Sequence, residues 1–143
     1  HWKLYLGAHA EMENLRKRTE RDVQNAHKFA LERFFAELLP VRDSLEMGLA
    51  AASDAVDIAK LREGVALTLK QLAAAMEKFG VREIHPLGAK FNPNEHEAMA
   101  MAPTDQAEPN TVIQVLQKGY LLNDRLIRPA KVLVAQAIPK PAG

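Results

Sequence analysis

From Ala10 to Leu39 the chain carries neither proline nor glycine, and most of its residues are strong helix formers. Met12, Leu15, Thr19, Val23, Ala26, Ala30 and Phe34 recur along it at steps of 3, 4, 4, 3, 4 and 4. Those steps sum to eleven per repeat rather than seven. An eleven-residue period lets helices run side by side with little or slightly right-handed supercoil. The stripe is thin, and Glu, Arg and Lys dominate the rest of the surface. A lone helix of this kind is marginal in water, so it must lie against something. Nothing else in the chain is long enough to cover it, and the economical cover is a second copy of itself. The alternative is a helix packed on the core of its own domain. Pairing makes the seven stripe residues the expected dimer interface.

Pro40, in LLPVRD, interrupts the pattern. Proline forfeits a helical hydrogen bond and crowds the preceding turn, so a kink or a fresh helix start is expected there. Val41, Leu45 and Leu49 continue an apolar face. Ser53 and Asp54 offer caps, and a second helix is expected from about Val56 to Phe79. Its apolar positions are Ile58, Leu61, Val65, Leu69, Leu72, Met76 and Phe79, with Gly80 as the stop. Two such helices per chain, doubled, would form a four-helix bundle.

After Gly80 the grammar changes. Prolines stand at 86, 93, 103 and 109, between the β-prone runs VREI, EAMAMA, TVIQVLQKGYLL and RLIRPAKVLVA. Alanine and methionine are weak strand formers, so EAMAMA reads as a strand on its alternation. Asn123-Asp124 suits a two-residue hairpin turn, because both residues tolerate positive φ. Pro129 belongs at an edge or bulge. The expected fold is α+β: long paired parallel helices and a four-helix bundle in a homodimer, with a small C-terminal mostly-β wing. The expected boundaries are 1–39 for the long helix, 40–79 for the bundle helices, 80–138 for the wing and 139–143 for a tail. Three parts of different period imply a segmented, elongated molecule. Residues 1–10, HWKLYLGAHA, lack the basic start and long apolar run of a signal peptide. A cloning remnant or an unusual helix start is the expected reading, and they are assigned no function.

Composition narrows the function classes. Among 143 residues, 19 basic and 18 acidic side chains leave a net charge of +1, so no global field draws the chain to nucleic acid or an anionic membrane. Cysteine is absent, which removes disulfides and thiolate chemistry and fits a reducing, cytoplasmic setting. No apolar run is long enough to span a bilayer. Gly64, in REGVALTL, lacks the second glycine of a phosphate cradle. Ser44 and Ser53, the two serines, have no nucleophile-elbow context. Glu95, His96 and Glu97, with His85 upstream, are not a His-Glu-x-x-His site, and neighbours on a strand point to opposite faces. Arg16-Lys17-Arg18 lies among Glu11, Glu13, Glu20 and Asp22, as on a solvated helix face with i,i+4 pairs rather than in a DNA-binding basic region. No enzyme, cofactor or metal is expected. What survives is a binding module, in which hairpins present side chains to a partner.

GYLLNDRLIRPAKVLV resembles the C-terminal signature of the GrpE family, the nucleotide exchange factors of DnaK-type heat-shock chaperones. Gly119, Tyr120, Asn123, Leu126, Ile127, Arg128, Pro129, Ala130, Val132 and Val134 fit that pattern. FNPNEHEAM resembles the family's second motif, with Asn92 in place of its usual aspartate. ENLRKRTERD, HKFALE, LLPVRDSLE and KFGV are similar to further family segments, and the likeness covers roughly residues 11 to 137. The resemblance implies a homodimer whose β wing docks on the chaperone's ATPase domain, favours an open nucleotide cleft and promotes ADP release. It also implies a role in the heat-shock response and sensing of temperature through helix melting. Carried over by motif, the chaperone contacts would be Phe91, Pro93, Leu116, Lys118, Arg125 and Val134 on the wing and Arg16 on the long helix. Gly64, Gly80, Gly119, Asn123 and Pro129 would be structural. At Gly64 a larger side chain would disturb wing placement. Phe91, Leu116 and Val134 have wing core as their alternative, and Lys118 simple solvation. Asn25 departs from a position that can be basic in the family. A coiled-coil adaptor without exchange activity is the competing reading. An enzyme acting through Glu95, His96 and Asp124 has little to support it.

Overall fold

The computed structural model describes residues 2–52 and 57–139. They form two compact units, one ending at Leu72 and the other beginning at Ala73. Ser53, Asp54 and Val56, anticipated at the start of the second helix, lie outside the described residues.

α1 spans Trp2–Ala51 in the first unit, and α2 spans Ile58–Lys78, with its last turns from Ala73 belonging to the second. Of the kink or fresh helix start expected at Pro40, the fresh start does not occur. Pro40 lies inside α1, which runs continuously through it. One forfeited hydrogen bond is outweighed by long helix-forming runs on both sides. Asp57 caps α2: its carboxylate oxygen accepts the Ala59 N–H at 3.0 Å, and its carbonyl accepts the Leu61 N–H at 3.0 Å. The helix ends through Gly80, whose φ of +85° is the left-handed conformation of a helix stop.

These two helices bury very little against each other. Val41, at 5% exposure, is the sole buried residue described on α1, and α2 has none. The seven stripe residues of α1 are all exposed in the single chain. The Ser44 hydroxyl lies 2.9 Å from Gln71 Oε1, a link from α1 to α2. Beside it runs a groove of about 570 Å³ lined by Leu45, Gly48, Leu49, Leu61, Gly64 and Val65. A Cβ built on Gly64 meets nothing within 4 Å, so this glycine faces open space in the single chain.

In the second unit, six strands follow: β1 (Val81–Ile84), β2 (His96–Pro103), β3 (Val112–Gln117), β4 (Gly119–Leu122), β5 (Arg125–Arg128) and β6 (Ala130–Gln136). They make two three-stranded sheets. One has the order β1-β4-β5, and the other β2-β6-β3. Two of the expected runs are therefore each cut in half. TVIQVLQKGYLL changes sheet at Lys118, and RLIRPAKVLVA changes sheet at Pro129. Pro129 stands between ladders rather than within one, where its missing N–H costs no pairing.

β4 and β5 form the expected hairpin. Asn123 and Asp124 both have positive φ, 48° and 66°, the geometry of a type I′ turn. Leu121 pairs with Leu126 and Tyr120 with Arg128, so Ile127 is a bulged extra residue. EAMAMA is a strand, but its burial does not alternate; Met99 and Met101 are both 49% exposed. A bulge between Ala98 and Ala100 breaks the period, and parallel pairing with β6 holds the strand.

Ile84, Val112, Leu121, Ala130, Val132 and Val134 form the core, with Phe91 and Val115 packed on it. Gly119 sits where the chain crosses from one sheet to the other. A Cβ there would lie 2.5 Å from the Ala130 nitrogen and 2.8 Å from the Arg128 carbonyl oxygen. Gly80 has a similar constraint, since a Cβ would collide with the Asn123 side chain.

Gly119→Ala is expected to destabilise the wing by about 2 kcal/mol or more, because backbone atoms must move. Val134→Ala is expected to cost roughly 2 kcal/mol through the cavity it leaves. Leu116→Ala, at a half-exposed position, should stay within about 0.5 kcal/mol. Hydrogen exchange of the β4 and β6 amides measures all three.

Candidate functional site

The hairpin places Arg125 first after the type I′ turn, and its side chain is exposed. Direct cross-strand partners share a face of their sheet. Val81, Leu122 and Arg125 are in register, as are Glu83, Tyr120 and Arg128. Alternation puts both rows on one face of β1-β4-β5. Lys118 stands in the crossover before β4, with its Nζ 2.7 Å from Glu83 Oε1. The hydrogen bond that Lys118 donates to Glu83 raises its pKa above the ordinary lysine value. That pair therefore stabilises the fold below the ordinary lysine pKa, and the contribution fades as pH rises through the raised value. Its exposure to solvent keeps it weak. Arg128 donates through Nε to the Lys118 carbonyl at 3.0 Å, and its guanidinium lies 5.1 Å from the Tyr120 ring centroid. The outcome is a cationic sheet face in which Arg128 and Lys118 are tethered and Arg125 projects from a stiff turn.

Phe91 is half-buried, with its ring centroid 5.9 Å from that of His96. Its backbone is pinned by donation from the Phe91 N–H to the Asn110 carbonyl at 2.9 Å. Pro93 is exposed in the turn that follows, and Leu116 on β3 is 50% exposed. Val134 is different. It is 1% exposed at the centre of β6, so its side chain belongs to the wing core and not to the surface. In the signature it alternates with Leu133, but only the packing of the sheet shows which of the two faces inward.

Arg16 is exposed on α1, and its guanidinium is held by Glu13 at i−3 and by Glu20 at i+4, the latter at 2.7 Å. The hydrogen bonds it donates to Glu13, then the charge of Glu20, raise its pKa above the ordinary arginine value. Arg42 and Glu46 make a similar pair at 2.8 Å. The structure thus groups Lys118 and Arg125 on or beside one sheet face, and Phe91 and Pro93 on one loop.

Sequence reasoning missed Glu83 and Tyr120 as organisers of this surface. Glu83 meets Tyr120 and Lys118 only through the pairing of β1 with β4, which joins segments far apart in the chain. The hydrogen bond of His96 has its own signal: an Asn-Pro-Asn turn ends two residues before a histidine that could reach back to it.

No described helix is long and apolar enough to cross a membrane. The GrpE family profile matches residues 2–136. The GrpE protein of Methylococcus capsulatus is 65% identical over 137 residues, which are 95% of this chain and 74% of that protein. That of Thioalkalivibrio sulfidiphilus is 63% identical over 137 residues, covering 96% and 73%. That of Cupriavidus taiwanensis is 56% identical over 135 residues, covering 94% and 69%. With its two long helices, its C-terminal β unit and a match along almost its whole length, the chain belongs to the GrpE family, the nucleotide-exchange co-chaperones of DnaK-type chaperones.

Proposed function

We propose that this chain works as a homodimer whose wing docks on the ATPase domain of a DnaK-type chaperone and holds its nucleotide cleft open. ADP then leaves, ATP enters, and bound substrate is released. The observation that carries the docking reading is the exposed Arg125, projecting from a turn that its own backbone makes stiff. Pairing of two α1 stripes accounts for the apolar residues left uncovered in the single chain, from Met12 to Phe34. The groove beside Gly64 gives a second copy of the helices a place to pack.

The mechanism is linkage. A partner that binds the open form better than the ADP-closed form must weaken ADP binding by the same factor. Each tenfold loss of ADP affinity requires about 1.4 kcal/mol of differential binding. No bond is made or broken on the wing. Its contacts need only be available when one lobe of the partner has swung outward. Phe91 and Pro93 would supply apolar contact from the loop, Leu116 from β3, and Lys118 and Arg125 the charge. Arg16 would contribute from α1 after exchanging its intrahelical carboxylates for those of the partner.

The α1 stripe also supports a thermal role. Thr19, Ala26 and Ala30 bury little area each, so a seam built on them is weakly held. Heating would loosen the paired helices before the wing core, and exchange would slow reversibly.

Stopped-flow release of fluorescent ADP from a DnaK-type ATPase domain tests the function. Acceleration by this protein is expected, whereas an unchanged rate would identify an adaptor. Arg125→Ala should weaken the effect roughly tenfold, as loss of an exposed interface arginine does, while its unfolding free energy stays within about 0.5 kcal/mol of wild type. Circular dichroism tests the thermal role. A reversible helical transition below the wing's own melt is expected, and a single irreversible melt with activity intact up to it would refute it.

A further inference from the structure

His96 is 7% exposed, the buried polar residue of the wing core region. Its Nδ1 accepts the backbone N–H of Asn92 at 2.8 Å. That bond spans the turn carrying Pro93, and the turn has its own supports. The Asn92 carbonyl accepts the Glu95 N–H at 3.1 Å and the His96 N–H at 2.8 Å, and Asn92 Oδ1 accepts the Asn94 N–H at 3.0 Å. Phe91 precedes Asn92, and its ring leans on the imidazole at 51°. On the far side, the Ala130 N–H donates to the Glu95 carbonyl at 3.0 Å, and His96 is in register with Ala130. The imidazole therefore ties the start of the loop, where Phe91 and Asn92 stand, to the start of β2.

We infer that His96 is a positioning residue for partner docking: its neutral imidazole latches the Phe91–Glu95 loop, and protonation releases the latch. An imidazole Nδ1 accepts a hydrogen bond only when it carries no proton. Once both ring nitrogens are protonated, Nδ1–H confronts the Asn92 N–H, donor against donor. The cleft beside His96, about 500 Å³, is lined by Arg82, Glu83, His85, Lys90 and Glu95. Those are the charged and titratable groups that face it from β1, from the segment after β1 and from its own loop. Opposite on β6 stands the uncharged Ala130, with Lys131 one residue on and in register with Glu97. Glu83 is paired with Lys118. Glu95 is then the carboxylate lining the cleft, outside that pair, that could turn toward an imidazolium and draw the loop out of its docking shape.

This inference rests on the reading that Phe91 and Pro93 touch the chaperone, and the experiment separates the two. Binding to a nucleotide-free DnaK-type ATPase domain is measured from about pH 7.5 down to about pH 5.5. Wild-type affinity should fall at least tenfold. His96→Asn places Oδ1 where Nδ1 was, accepts the same N–H and cannot titrate in this range. It should bind like wild type at the higher pH and change less than threefold across the range, which also removes titration of the partner as the cause. His96→Ala should bind weakly at both. A wild-type affinity that does not change, or a His96→Asn protein that falls as steeply as wild type, overturns the latch. Amide and imidazole NMR of the wild-type protein alone gives a second readout that needs neither variant nor partner. The Asn92 amide should shift in step with the His96 ring, and an Asn92 amide that stays still while the ring titrates also overturns it. A wild-type protein that fails to bind the ATPase domain at the higher pH overturns the docking reading, and the amide titration then decides the latch by itself.

Discussion

Gly119 has no side chain because the backbone of residues 128–130 occupies the space one would need. The rest of the wing depends on that close approach. Two sheets share one chain, which leaves β3 for β4 at Lys118 and returns from β5 to β6 at Pro129. Both crossings meet where Gly119 lies against Ala130. Ala130 is fully buried, stands in register with His96 and donates its N–H to Glu95. One tight backbone contact thus links the hairpin that carries Arg125 to the loop that carries Phe91 and Pro93. Two surfaces distant in sequence are held in a fixed relation without a large core.

A small module gains stiffness in this way from backbone geometry more than from buried area. The type I′ turn, the bulge at Ile127 and the proline between ladders each restrict φ and ψ locally. The polar links on the sheet face, Glu83 with Lys118 and Arg128 with Tyr120, are exposed and individually weak. Their value lies in holding side chains in place rather than in stability. A co-chaperone that acts by shape requires that property: differential binding is lost if the wing can deform to fit both states of its partner equally well.

The helical unit follows the opposite logic. Its helices are regular and long, yet the single chain buries almost none of their apolar surface. Period and propensity sufficed to read both helices, because the hydrogen bonds of a helix are local. They also exposed the missing cover, since a stripe from Met12 to Phe34 has no match elsewhere in the chain. At Pro40, where a kink or a fresh start was expected, the helix does not start afresh, because one lost hydrogen bond does not outweigh the turns on either side.

In the wing, the strand-prone runs, the Asn123-Asp124 turn, the helix stop at Gly80 and the exposure of Arg125 were legible in the residues. All of these depend on residues within a few positions of one another. Folding in three dimensions was needed to divide the runs between two sheets, to turn Val134 to the core, to pair Glu83 with Lys118 and to let His96 tie its loop. Each of those is a pairing between segments far apart in the chain or a choice of face within a strand. Alternation shows that neighbouring residues of a strand point opposite ways, but which side is the inside is settled by what packs against it.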